Sequence, residues 1–161
     1  MSARLNDAKP RWLSMESSDL ADVYELELRV YPFPWTRGNF EDALASNNLA
    51  QVLRDAQGQL LGYLVALPGV DEMHLLNITV RPESQGRGYA SCMVDALEAI
   101  CRSRGLSQIW LEVRRSNRGA RSFYEGHGFK EVGLRRAYYP AHAGQREDAT
   151  LMSLDLGRSR A

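Results

Sequence analysis

Residues 73–114 read as a strand, a glycine-rich turn, a helix and a second strand, in that order. The run MHLLNITV alternates apolar and polar residues, and Pro82 follows it. Residues 89–104 carry apolar side chains at steps of three and four, which predicts an amphipathic helix ended by Gly105. SQIWLEVR alternates in character, as a strand with one buried face does. Because strand, helix and strand in sequence form a parallel crossover, this stretch restricts the fold to one that combines helices with a sheet.

The flanking segments add strands before and after this crossover. LAQVLRD and QLLGYLVALP are strand-like runs joined by the turn sequence DAQGQ, which predicts an antiparallel hairpin. Two last strands are predicted over about 129–137 and 149–156. A length of 161 residues suits one domain. We predict a single α/β domain of the α+β kind: a mixed, mostly antiparallel seven-stranded sheet with helices on both faces, frayed at 1–10 and 157–161.

Charge and hydropathy argue against two classes of partner. Basic and acidic residues both number 20, so the formal net charge is zero and nothing favours nucleic-acid phosphates. The longest apolar run, LLGYLVAL, is far shorter than a membrane span, and no apolar signal segment is present at the start. We therefore expect a cytoplasmic protein that binds neither nucleic acid nor membranes. The sequence carries no signal of oligomeric state.

The two cysteines indicate no chemistry of their own. Cys92 and Cys101 lie nine residues apart on the predicted helix, too far along its axis for a disulfide. Neither has a metal-ligand spacing with a histidine. We expect both to be ordinary buried thiols, and we expect no metal site.

The turn QGRGYA, residues 85–90, combines small side chains with the start of a helix. Unpaired amide groups and the positive end of the helix dipole make such a turn an anion site, which a diphosphate fits. The alternative is a tight turn that needs glycine for geometry alone. A P-loop is excluded because Tyr89 and Ala90 follow the last glycine, and a dinucleotide fingerprint fits poorly because Ser91 takes the place of its third glycine.

The same six residues resemble the Q/R-x-x-G-x-G/A signature of the GNAT acetyltransferases, which lies between the fourth strand and the helix after it. The resemblance implies the GNAT fold and an acetyl-CoA cofactor whose pyrophosphate binds the amides of the turn. It also implies that the preceding strand and an asparagine contact the pantetheine arm. The implied cofactor-binding residues are Ile78, Thr79, Val80, Gln85, Gly86, Arg87, Gly88, Tyr89, Ala90, Ser91 and Asn117.

Acetyl transfer to an amine needs a base, because a protonated amine has no free lone pair. Glu112, a carboxylate in mid-strand, is the candidate; a salt bridge to Arg114 or another surface arginine is the alternative. The leaving thiolate needs a proton, which the phenol of Tyr124 can donate, although a tyrosine beside Phe123 can equally be a core residue. No Ser-His-Asp arrangement, zinc motif or reactive cysteine competes.

A longer resemblance narrows the implied substrate. WLEVRRSNRGARSFYEGHGF and RRAYYPAHAGQREDATLMSL are similar to a bacterial branch of the family that acetylates the N-terminal amine of a small-subunit ribosomal protein. This resemblance implies direct transfer with Glu112 as general base and Tyr124 as general acid, and a peptide N-terminus bound by Trp35, Tyr138 and Tyr139. Two alternatives stay open: an acetyltransferase of lysine or small amines, and a non-catalytic acyl-CoA-binding module.

Overall fold

A computed structural model describes residues 9–157, and most of both predicted frayed ends, 1–10 and 157–161, lies outside the described residues. Seven strands and four α-helices form within this part of the chain. None of its helices is long and apolar enough to cross a membrane. In chain order the elements are β1 Arg11–Ser14, α1 Leu20–Val30, α2 Arg37–Ala45, β2 Leu49–Arg54, β3 Leu60–Pro68, β4 Glu72–Val80, α3 Tyr89–Ser103, β5 Gln108–Arg114, α4 Arg118–Gly126, β6 Lys130–Pro140 and β7 Arg146–Asp155.

The seven strands are hydrogen-bonded in the order β1-β2-β3-β4-β5-β7-β6. The pairs β1–β2, β2–β3, β5–β7 and β6–β7 are antiparallel, whereas β4 and β5 run parallel. The parallel pair is the predicted crossover, with α3 as its helix. The prediction of a mixed, mostly antiparallel seven-stranded sheet is therefore confirmed.

The chain forms two compact units, each with its own core. The first unit contains the described residues up to Ala66 together with Asn77–Val94, and the second contains Leu67–Leu76 together with the residues from Asp95 onwards. A single domain over the whole chain stays a prediction. Fully buried side chains in the first unit include Val23, Phe40, Val52, Tyr63 and Leu64; those in the second include Met73, Leu97, Ile109, Leu111 and Met152.

The prediction that both cysteines are buried is wrong for Cys92, which is exposed, and is confirmed for Cys101. Nine residues of an α-helix turn through about half a revolution beyond two full turns, so the two side chains leave α3 on opposite faces. Only one of these faces packs against the core. Burial raises the pKa of the Cys101 thiol to about 11, which keeps it protonated and unreactive.

Candidate active site

Glu112 lies on β5 in the second unit, at a position fixed by the alternation of that strand. Ile109, Leu111 and Val113 are buried on one face of β5, as predicted. Glu112 points to the opposite face, yet its side chain is only 6% exposed. A carboxylate that is removed from water needs compensating partners, so its contacts decide what it does.

The two oxygens of the Glu112 carboxylate have different surroundings. Oε1 lies 3.1 Å from Nε2 of His74. Oε2 is buried and has no hydrogen-bond partner among the described residues, and the nearest cation, the Nε of Arg135, is 3.7 Å away. The open alternative of a salt bridge to a surface arginine is therefore met by Arg135, whereas Arg114 pairs with Glu147 at 3.0 Å. Oε2 is therefore a buried acceptor that can take a proton.

His74 was not recognised from the sequence as a site residue. It lies on β4, where the parallel register places it opposite Trp110 of β5. Its ring stacks on the Trp110 indole with centroids 3.6 Å apart and planes 10° from parallel. Burial lowers the pKa of His74, and this effect outweighs the opposite influence of Glu112. The predicted crossover could have indicated His74 as a neighbour of Glu112, since adjacent parallel strands present alternate residues on a common face.

An irregularity in β6 places Tyr138. The pairing of β6 with β7 shifts register between Arg135 and Tyr139, so that extra residues of β6 oppose the shorter partner segment. Ala137 lies there with a left-handed φ of 50°, and its amide donates to Asp148 Oδ1 at 2.9 Å. Bulges of this kind redirect side chains and are common beside active sites.

Tyr138 and Tyr139, two of the predicted substrate residues, lie within the electrostatic influence of Glu112. Their rings meet edge to face with centroids 4.9 Å apart, and Tyr138 is 40% exposed. Burial raises the pKa of both phenols; a hydrogen bond to the Glu112 carboxylate raises the pKa of Tyr138 further, and the charge of Glu112 raises that of Tyr139. The guanidinium of Arg135 lies 5.3 Å from the Tyr138 ring and that of Arg114 lies 4.6 Å from the Tyr139 ring. The second unit thus brings the predicted base and two predicted substrate residues together.

Tyr124 and Asn117 belong to α4. Asn117 is the N-cap, and its side-chain oxygen accepts from the amide of Ala120 at 3.1 Å. Tyr124 is buried, with its ring 5.3 Å from Phe123 and 5.5 Å from Phe129. These aromatic contacts agree with the open alternative of a core tyrosine. The predicted roles of Tyr124 as acid and of Asn117 as a cofactor contact stay predictions.

The glycine turn of the first unit has a backbone that requires glycine at two positions. Gly86 and Gly88 have φ angles of 77° and 82°, in the left-handed region. A Cβ built at either position has no heavy atom within 4 Å, so this face of the turn is open. Arg87 is exposed between them, and Tyr89 begins α3, a helix of 15 residues. The geometry supplies close access to backbone amides, as the predicted anion site requires.

Trp35 and Thr79, two other predicted residues of the first unit, take part in a buried polar network centred on Glu27. The Trp35 amide donates to Glu27 Oε2 at 2.9 Å, and the Trp35 ring lies 5.0 Å from Phe40. Thr79 Oγ1 donates to Asn77, whose amide donates to Glu27 Oε1 at 3.0 Å. The segment 78–80 is thus tied to its own unit through side chains, and its predicted binding of the pantetheine arm stays a prediction that concerns the backbone.

Comparison with known proteins gives matches to one family over most of the chain. Residues 20–129 match the acetyltransferase (GNAT) family. The [ribosomal protein bS18]-alanine N-acetyltransferase of Escherichia coli strain K12 is 36% identical over 146 residues, which cover 89% of this chain and 95% of that protein.

Solved structures agree with this match. The crystal structure of the ribosomal-protein-S18-alanine N-acetyltransferase from Escherichia coli superposes with a TM-score of 0.86 at 34% identity, covering 94% of this chain and 96% of that one. A spermidine/spermine N-acetyltransferase from Vibrio cholerae shares the fold, with a TM-score of 0.75 at 22% identity, over 94% of this chain and 95% of that one.

Proposed function

Because this chain belongs to the GNAT acetyltransferase family, we propose that it transfers the acetyl group of acetyl-CoA to the N-terminal α-amino group of a protein. The alanine end of ribosomal protein bS18, named in its relatives, is the proposed substrate. Proteins of this fold act on several kinds of amine, so the substrate has to be argued from the site.

The observation that carries the proposal is the buried Oε2 of Glu112, which has no hydrogen-bond partner among the described residues. An α-amine is mostly protonated at neutral pH and must lose a proton before it can attack. Glu112 accepts that proton as general base, and Tyr124 is the proposed donor to the leaving sulfur. Neither residue becomes covalently attached to the acetyl group, so the transfer is direct.

Most of the proposed cofactor contacts are residues of the first unit. The amides of the turn 85–90 and the N-terminus of α3 suit its diphosphate, and exposed Arg87 adds a positive charge. The open face over Gly86 and Gly88 fits this group, because a Cβ there would fill the space that the phosphates need. Ile78, Thr79, Val80 and Asn117 remain proposed contacts to its pantetheine arm. Acetyl-CoA supplies an activated thioester when bound.

The charges around Glu112 favour a peptide over a polyamine as substrate. Acidic side chains of this region are paired with arginines: Glu147 with Arg114, and Asp148 with Arg115. A polycation needs free carboxylates, whereas a peptide end needs the hydrogen-bonding and apolar surfaces that tyrosines provide. We propose Tyr138 and Tyr139 as contacts of the peptide, and Trp35 of the first unit as a further one.

The test is release of free thiol from acetyl-CoA with matched amines. We expect release with a peptide that copies the N-terminus of bS18 and begins with alanine. The same peptide blocked at its α-amine, and spermidine, should give less than about a tenth of that rate, since only the free α-amine fits. Equal rates with the blocked peptide would indicate a lysine substrate. No thiol release with any of these amines, although acetyl-CoA still binds, would support a non-catalytic acyl-CoA-binding module.

A further inference from the structure

We propose that His74 is a positioning residue for Glu112: its Nε2–H donates to Oε1 and thereby keeps Oε2 as the oxygen that accepts the proton. The proposal rests on the proposed function, because it concerns how the base of that reaction is held. It assigns a role to a side chain outside the predicted site.

The geometry gives His74 a fixed orientation. The stack on Trp110 and the cross-strand register hold the imidazole in one plane, with its Nε2 3.1 Å from Glu112 Oε1. The His74 side chain is 18% exposed, so water competes little for this hydrogen bond. A donor fixed by packing orients its acceptor, as supporting residues do in other active sites.

The protonation state of His74 follows from its surroundings. Burial lowers its pKa, so the ring is neutral at neutral pH and carries one N–H. A carboxylate only accepts hydrogen bonds, and so the nitrogen that faces it must be the one with the hydrogen. A neutral donor also leaves the negative charge of the carboxylate available to attract the proton of the amine.

Other charged and titratable groups near this pair do not replace His74. Arg135 of β6 approaches Oε2 only to 3.7 Å and is about half exposed. Tyr138 of β6 also hydrogen-bonds the Glu112 carboxylate, whereas Tyr139 interacts with Glu112, and Glu72 of β4 with His74, only through their charges. His74 lies 3.1 Å from Oε1 through its Nε2, while Oε2 has no hydrogen-bond partner among the described residues.

Two substitutions separate the hydrogen bond from the ring stack. His74→Phe keeps an aromatic ring on Trp110 and removes the donor, whereas His74→Gln loses the ring and can keep an N–H donor. A structural role alone predicts that the phenylalanine variant is the milder one. A positioning role predicts the reverse.

The decisive measurement is the pH dependence of kcat/KM for the peptide. We expect His74→Phe to lower kcat/KM about tenfold and to move its acid limb to higher pH by about one unit, because a carboxylate without its donor is protonated more easily. The KM for acetyl-CoA should stay unchanged. His74→Gln should retain most of the activity with the limb near its original position.

Gln108→Leu is the matched control. Gln108 also links β4 and β5, since its side chain donates to Glu72 at 2.8 Å, and it lies opposite Glu72 in the register. Its loss should leave the acid limb in place. An unmoved limb in His74→Phe, or an equal shift in Gln108→Leu, would overturn the proposal.

A readout without turnover keeps this proposal separate from the proposed function. Long-range proton–nitrogen NMR spectra identify the tautomer of each histidine, and we expect the Nε2–H tautomer for His74 between about pH 6 and pH 8. The Nδ1–H tautomer would refute the proposed donation whatever amine the enzyme uses. Failure of the bS18 peptide alone would count against the proposed substrate and leave the tautomer result standing.

Discussion

Glu27 in the first unit and Glu112 in the second are both buried glutamates, yet their partners differ sharply. Glu27 is 2% exposed, and three donors converge on its carboxylate: the Tyr63 hydroxyl, the Asn77 amide and the Trp35 backbone amide. Both oxygens of Glu27 are used. Glu112 has His74 close to Oε1, while its Oε2 has no hydrogen-bond partner within the described part of the chain and only the Arg135 guanidinium at 3.7 Å.

Hydrogen-bond partners therefore distinguish a structural carboxylate from a reactive one when both are buried. Buried polar groups are nearly always hydrogen-bonded, because an unmet bond costs about 1–3 kcal/mol. Glu27 meets this rule and holds α1, the loop before α2, and β3 and β4 of its unit together. Glu112 departs from the rule at one oxygen, and such departures mark places where function outweighs stability.

Glu112→Gln should have the largest effect on the protein, and that effect should fall on activity. The amide cannot accept the proton of the amine, so kcat should fall about 100- to 1000-fold at neutral pH while acetyl-CoA binding is kept. The free energy of unfolding should change by less than about 1 kcal/mol, because Oε2 makes no hydrogen bond to lose. Single-turnover kinetics and urea denaturation measure the two effects. An unchanged chemical step would remove Glu112 as the base.

Glu27→Leu should produce the opposite pattern. Three donors would lose their acceptor inside the core, so the free energy of unfolding should fall by about 3 kcal/mol or more. Urea denaturation measures this loss. Glu25→Leu on the same helix is the control, because Glu25 is exposed and should cost less than about 0.5 kcal/mol. Equal stability of the two variants would mean that the network around Glu27 contributes nothing.

The fold and the position of Glu112 on its strand were predictable from the sequence. Alternation along β5 identified both its buried face and the opposite face that carries Glu112, because side-chain direction in a strand has a period of two. The crossover and the glycine turn were also predictable, because each is specified by the pattern of residues within a continuous stretch of the chain.

The partners of the two carboxylates were not predictable. His74 meets Glu112 through the register of β4 with β5, and a one-residue shift would turn it to the other face. In α1, Leu28 is 50% exposed, while Leu26 and Glu27 are buried. The donors to Glu27 come from distant segments, so only the folded chain reveals that a charged residue belongs in this core.

Tyr31→Phe should give the smallest effect, because Tyr31 lies at the edge of the Glu27 network. Its hydroxyl donates to the Ile78 carbonyl at 3.2 Å and lies 2.8 Å from Thr79 Oγ1, with no direct bond to the carboxylate. Its removal should lower the free energy of unfolding by about 1 kcal/mol and leave kcat unchanged. Tyr24→Phe on α1 is the control and should cost less than about 0.5 kcal/mol.

Alkaline denaturation sharpens this last prediction. Burial raises the pKa of Tyr31, so the unfolded chain releases this proton first and the stability that Tyr31 contributes is lost as the pH rises above about 10. Tyr31→Phe removes the titrating group, and the variant should lose less stability than the wild type between about pH 9 and pH 11. An identical alkaline loss in both proteins would show that Tyr31 does not couple to folding, and the network would then end at Asn77 and Thr79.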